Sequence, residues 1–278
     1  MRLEFAKMHG VGNDVVVMRW PAGTALPGAA QVRAWGDRRL GIGFDQLMLI
    51  ESGYSGPADA AYRVFNADGG EVEQCGNGVR CVARFLADGR DAAELRLESR
   101  GGTVVARLLD GGRVSVNLGV PSFSPSDLPF EAEEARTYTL DLGGRTVEFG
   151  AVSVGNPHVV ILTDSLDDAP VGILGTELQD SKAFPKGVNV GFMEPRSPDA
   201  IGLRVFERGV GETLACGTGA AAAVAFGRDR GVLEERVVVS LPGGELEVSW
   251  MGRGEPLWLA GPTTKVFEGQ IEYEPTEA

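Results

Sequence analysis

At 278 residues, with 43% hydrophobic and 23% charged side chains, the chain is long enough for two domains and apolar enough to bury a core in each. Acidic residues outnumber basic ones 39 to 26, giving a formal charge of −13; this argues against a nucleic-acid partner, because a phosphate backbone is gripped by clustered Lys and Arg. No apolar run approaches the ~20 residues of a membrane span, and the opening Met1-Arg2-Leu3-Glu4-Phe5-Ala6-Lys7 alternates like a strand and lacks the form of a secretory signal, so a cytoplasmic protein without membrane partners is expected.

In chain order, short β-branched and apolar runs flanked by Gly, Pro, Asp or Asn predict strands at Val15 to Met18, Leu47 to Ile50, Val114 to Leu118, Val159 to Leu162, Val237 to Leu241 and Leu246 to Trp250. The two clearest helical patterns begin immediately after Cys75 and Cys216. The second, Ala220 to Phe226 behind Gly217-Thr218-Gly219, is apolar on every side and reads as a buried central helix. A Pro- and Ser-rich stretch from Gly119 to Pro129 marks a domain boundary, and Gly261-Pro262 marks a second. The expected domains are residues 1–119 with 264–278, and residues 120–263. Lys265 to Tyr273 forms a terminal strand whose partner the sequence does not reveal.

An internal repeat organises these elements. Placing Arg63-Val64-Phe65 on Arg204-Val205-Phe206 brings Gly70 onto Gly211, Glu71 onto Glu212, Cys75 onto Cys216, Gly76 onto Gly217, Gly78 onto Gly219 and Phe85 onto Phe226, nine identities in 23 positions without a gap. Composition alone gives roughly one or two. A second pair, Gly12-Asn13 with Gly155-Asn156, lies at nearly the same offset. The symmetry breaks where Asn66 aligns with Glu207 and Val15 with His158.

Cys-Gly-Asn-Gly and Cys-Gly-Thr-Gly each place a cysteine at a helix N-terminus, where free N–H groups and the positive end of the dipole favour anions. A thiol pKa of ~8.5 falls to roughly 3.5–7.5 in such places. The glycines keep the turn open for a ligand carboxylate. Two such units facing one another would put a thiol on each side of a carbon acid, one removing the α-proton and the other delivering a proton from the opposite face. Cys81 has Ala222 as its counterpart and is expected to be core packing, and His9 is expected to be structural.

Lys7 to Asp14, Phe65 to Gly69, Glu73 to Cys81, Gly155 to His158 and Glu207 to Gly219 resemble the signature segments of diaminopimelate epimerases, in order and over nearly the whole chain. Val15 departs from the Phe usual after Asn-Asp in that family. The resemblance implies two pseudo-symmetric α/β domains, each a mostly antiparallel sheet curled around a central helix. It implies a homodimer acting on a small amino acid with no cofactor and no metal. By the same resemblance Cys75 and Cys216 are the acid/base pair; Gly76, Asn77, Gly217 and Thr218 hold the reacting carboxylate; Asn13, Gln46, Asn66, Asn156, Asn189, Glu207 and Arg208 bind the rest of the substrate; and His158 and Glu207 tune the thiols. Arg208 suits a distal carboxylate as a bidentate donor. Rival readings are a proline or hydroxyproline racemase, a metal-binding structural protein using Cys75, Cys81, Cys216 and His158, and a pyridoxal-dependent racemase. Spacing disfavours the metal site, and nothing around the four lysines suggests a Schiff base.

Overall fold

The computed structural model describes residues 1–73, 75–88 and 93–274. The chain divides into two compact units, Met1–Val116 with Gly261–Ala278, and Asn117–Ala260.

In the first unit β1 (Arg2–Gly10), β2 (Asn13–Trp20), α1 (Ala29–Gly36), β3 (Gln46–Glu51), β4 (Ala60–Asn66) and β5 (Glu71–Val72) precede α2 (Gly76–Ala87). Then come β6 (Glu94–Ser99), β7 (Gly102–Leu108) and β8 (Arg113–Asn117). The second unit repeats this order: β9 (Tyr138–Asp141), β10 (Thr146–Ser153), β11 (Pro157–Leu162), α3 (Val171–Gln179), β12 (Asn189–Ser197), β13 (Ala200–Glu207), β14 (Gly211–Thr213) and α4 (Gly217–Asp229). β15 (Arg236–Leu241), β16 (Gly244–Ser249) and β17 (Trp258–Pro262) complete it, and β18 (Thr264–Glu272) returns to the first unit.

Pairing follows the repeat. β2–β3 and β11–β12 are parallel, as are β4–β6 and β13–β15, while the hairpins between them are antiparallel. Corresponding residues pair alike: Val15 lies beside Gln46 and His158 beside Asn189. The terminal strand β18 finds its partner in β1, antiparallel from Arg2↔Glu272 to His9↔Thr264, the role that β9 plays against β10. Each parallel pair joined through α1 or α3 needs a crossover that a hairpin turn cannot supply. Those two helices are short, and the sequence reading did not anticipate them.

The sheet curls around its helix in each unit, because one helix touches strands at both ends of the strand order: α2 packs on β1, β2 and β3 and also on β6 and β7. α4 does the same with β10, β11, β12, β13 and β16. Accordingly α4 is buried from Gly219 through Gly227, with four consecutive alanines where larger side chains would hold the strands off. Gly150 faces the ring of Phe226 so closely that a Cβ there would overlap it. A separate core lies on the outer face of each sheet. In the first unit Val32 and Trp35 of α1 pack with Val16, Leu47 and Phe65, and in the second Leu174 and Leu178 of α3 pack with Val159, Val190 and Phe192.

Candidate active site

The first unit brings Asn13, Gln46, Asn66, Cys75, Gly76 and Asn77 together at one end of its sheet. β1 turns into β2 through Val11 and Gly12, both left-handed with φ of 49° and 85°. That is the two-residue turn whose twist matches the strands, and it sets Asn13 opposite Gly10 at the start of β2. Gln46 opens β3, and Asn66 closes β4 directly across from it. Cys75 caps α2 with φ −140° and ψ 114°, and its sulfur accepts the Gly78 N–H at 3.3 Å. The thiol reaches Gln46 Oε1 at 3.5 Å and Asn13 Oδ1 at 3.8 Å, and Gln46 Nε2 donates to Asn66 Oδ1 at 3.4 Å.

Asn13 is anchored from behind. Its Nδ2 donates to Asp45 Oδ2 at 3.0 Å, and the Asp14 and Asp45 side chains each accept the other's backbone N–H. Lys7 pairs with Asp14 at 2.6 Å, and Arg38 bridges both carboxylates. Burial alone would raise Asp14, but the Arg38 and Lys7 hydrogen bonds hold it well below the usual carboxylate range. Asp45 is raised, first by burial and then by the neighbouring Asp14 charge, against the opposing backbone hydrogen bond from Asp14.

The second unit brings Asn156, His158, Asn189, Glu207, Arg208, Cys216, Gly217 and Thr218 together in the corresponding place. Cys216 caps α4 and is 5% exposed, against the half-buried Cys75. Its sulfur lies 3.6 Å from Thr218 Oγ1, which is 3.0 Å from His158 Nε2; that nitrogen is also 3.0 Å from Asn156 Oδ1. His158 is buried and its pKa is pulled down to about 3, by desolvation first and by the Arg208 charge second, so the ring is neutral. The Cys216 thiol is pushed well above its ordinary value, first by burial and then by the charge of Glu207. Thr213 Oγ1 donates to Glu207 Oε1 at 2.5 Å and holds that carboxylate in place.

Asn189 and Asn77 are the expected ligands that, among the described residues, are both buried and bonded within the fold. Asn189 is buried; its Nδ2 donates to the Pro157 carbonyl and its Oδ1 accepts the Arg208 N–H, each at 2.9 Å. Asn77 is buried, and its Oδ1 accepts from Arg80 at 2.9 Å. The Arg208 guanidinium is exposed and gives one N–H to the Lys186 carbonyl at 3.2 Å, leaving much of its fork available. Cys81 is fully buried and its thiol is pushed up to about 12 by desolvation. Lys7, Asp14, Arg38, Asp45, Arg80 and Thr213 brace the site without a role in the sequence reading. An Asp next to Asn13, and an Arg next to Cys81 in the apolar part of the helix behind Cys75, were the available signals. Among the described residues no group of three or more His, Cys, Asp and Glu side chains is arranged to hold a metal ion.

The family profile described as diaminopimelate epimerase matches residues 5–124 and 150–266. A diaminopimelate epimerase of Pseudomonas aeruginosa is 47% identical over 274 residues, covering 98% of this chain and 99% of the relative. One from Laribacter hongkongensis is 50% identical over 276 residues, with the same coverage. Among solved structures, a hydroxyproline epimerase from Agrobacterium vitis with bound trans-4-hydroxy-L-proline is similar, with a TM-score of 0.69 at 19% identity over 97% of this chain and 92% of that one. A Bacillus anthracis phenazine biosynthesis protein of the PhzF family aligns with a TM-score of 0.69 at 16% identity, covering 98% of this chain and all of that one. At such identities the likeness is one of fold.

Proposed function

We propose that this chain, which belongs to the diaminopimelate epimerase family, interconverts LL- and meso-diaminopimelate by moving a proton at one α-carbon, a step of lysine and cell-wall precursor synthesis. The observation that carries the mechanism is the repeated cap: the same helix start holds Cys75 in one unit and Cys216 in the other. One sulfur, as thiolate, takes the α-proton; the other, as thiol, gives a proton to the opposite face; the roles exchange in reverse. Inversion requires the two sulfurs to serve opposite faces of one carbon. The N–H groups at Gly76-Asn77 and Gly217-Thr218 are the donors for the carboxylate on which charge accumulates when the proton leaves. Asn13, Gln46, Asn66, Asn156, Asn189 and Arg208 bind or brace the rest of the substrate, with Arg208 as the donor to a distal carboxylate. His158, through Thr218, and Glu207 directly govern the protonation of Cys216. No cofactor enters this chemistry.

The test is solvent deuterium incorporation into LL-diaminopimelate by the wild type, Cys75→Ala and Cys216→Ala. The wild type is expected to label and epimerise, and each variant to lose epimerisation. Labelling of proline or hydroxyproline, with diaminopimelate inert, would replace this reading with the racemase one. On family grounds we also take the protein to be a cytoplasmic homodimer. Sedimentation equilibrium at twice the chain mass is the check on its assembly.

A further inference from the structure

Among the described residues Arg80 is the largest charged side chain to be wholly buried, at 0% exposed, and it lies on α2 one turn beyond the Cys75 cap. Its Nη2 donates to Asn77 Oδ1 at 2.9 Å and its Nη1 to the Gly76 carbonyl at 3.3 Å, while Nε has no hydrogen-bond partner. Room for the guanidinium is made at Gly10, where a Cβ would stand 3.0 Å from Nη2. No carboxylate among the described residues forms an ion pair with it. A guanidinium stays charged even when burial lowers its pKa, as it does here, and a buried charge without a counterion costs several kcal/mol. A fold that keeps such a charge has an anion nearby for at least part of its working cycle.

The groups that can be that anion are few. Among the described residues, the ionisable groups whose charge would favour the guanidinium are Cys81 and Cys75. Cys81 is excluded, because desolvation keeps it a neutral thiol. Around Cys75, Tyr62 of β4 is held protonated by burial, Glu71 of β5 is tied to Arg63 and Arg100, and Glu73 is exposed. Asp14 and Asp45, behind Asn13, are tied to Lys7 and Arg38. Cys75 remains. The repeat sharpens the point, because Arg80 corresponds to Ala221 and Asn66 to Glu207. The duplicated frame thus carries a cation in the helix capped by one cysteine and an anion acting on the other.

Building on the two-thiol reading, we propose that Arg80 is a positioning residue of the reaction: its guanidinium is the countercharge that keeps Cys75 the thiolate in the free protein, while Glu207 keeps Cys216 the thiol. The resting protein is then loaded in one sense, ready to accept a proton at Cys75 and to donate one from Cys216. With Cys75 ionised, a turn of the Gln46 amide about its last bond exchanges its acceptor for a donor toward sulfur. Arg80 also holds the Asn77 side chain, so the same residue fixes both the charge and the shape of the first cap.

The experiment is independent of any substrate. The pH dependence of iodoacetamide alkylation is measured at Cys75 in the Cys216→Ala protein and at Cys216 in the Cys75→Ala protein, with modified sites identified by mass spectrometry. Cys75 is expected to react with a midpoint below that of a free thiol, ~8.5, and Cys216 with a midpoint above it; the reverse order overturns the proposal. Adding Arg80→Gln to the Cys216→Ala protein is expected to raise the Cys75 midpoint by about one unit or more, with Arg80→Lys restoring part of the shift. A folded Arg80→Gln protein with an unmoved midpoint reduces Arg80 to a structural role and also overturns the proposal. If Arg80→Gln does not fold, the order of the two midpoints decides. Failure to label diaminopimelate would defeat the functional reading and leave these midpoints standing.

Discussion

The Glu207 carboxylate bears on the buried Cys216 thiol from the place in its unit that Asn66 occupies in the other. A carboxylate beside a sulfur penalises the thiolate, whereas an amide in that position is neutral. Glu207→Gln is therefore expected to lower the Cys216 midpoint and to speed its alkylation at neutral pH in the Cys75→Ala protein. Epimerisation should fall by roughly ten- to a thousandfold, as the donor becomes poorly matched to its task. An unchanged alkylation profile would show that burial alone sets this thiol.

His158 gives a pH prediction of definite sign. Its folded pKa of about 3 lies below the ordinary 6.5, so protonation favours the unfolded chain and stability falls as pH drops from 6.5 toward 3. His158→Gln should flatten that limb of the stability curve relative to wild type. Because the ring is neutral across the physiological range, it contributes no titration to the pH–rate profile there. Nitrogen NMR of labelled histidine at mildly acid pH should find the ring uncharged.

Cys81 gives the opposite sign. With a folded pKa of about 12 against an ordinary 9.0, its contribution is present below 9.0 and is lost as pH rises toward 12. Wild type should therefore lose thermal stability relative to Cys81→Ala across that interval, as followed by melting temperature. Equal slopes for the two proteins would place an ionisable group other than Cys81 at the origin of alkaline unfolding.

The two caps differ in their tolerance of a methyl group. A Cβ at Gly219 would stand 3.0 Å from Val205 Cγ2 and 3.3 Å from both Cβ and Sγ of Cys216, whereas one at Gly78 meets the flexible end of Met48 and approaches Cys75 only at Cβ, 3.4 Å away. Gly219→Ala should displace the sulfur and cost about 1–3 kcal/mol of stability, with kcat falling roughly a hundredfold. Gly78→Ala should be milder on both counts. Denaturant melts and steady-state kinetics of the pair provide the comparison.

Asp45 tests the anchoring of Asn13. Asp45→Ala removes the acceptor of Asn13 Nδ2 and of the Asp14 N–H together. The loosened amide beside Cys75 should lower kcat by roughly ten- to a hundredfold, while Arg38 and Lys7 keep Asp14 ionised and the melting temperature moves little. A large loss of stability with kcat intact would assign this cluster to the fold and not to the site.

Much of this protein is written locally. The duplication, the strands at Val15, Leu47, Val159 and Val237, and the helices behind Cys75 and Cys216 can be read from the chain because β-branched runs, glycine turns and apolar helix faces act over a few residues. The residues around each thiol were named through the resemblance of short polar segments to those of diaminopimelate epimerases, which is again a property of local sequence. What the sequence could not supply is contact between distant segments. The pairing of β18 with β1 joins residues at least 255 positions apart, His9 with Thr264 being the nearest in sequence, and α1 and α3 exist because parallel strands demand a crossover. The burial of Arg80 with no carboxylate paired to it among the described residues, the bracing of Asn13 by Asp45, and the neutrality of His158 follow from which groups lose water together. Desolvation is a property of the packed whole, and only the tertiary structure decides it.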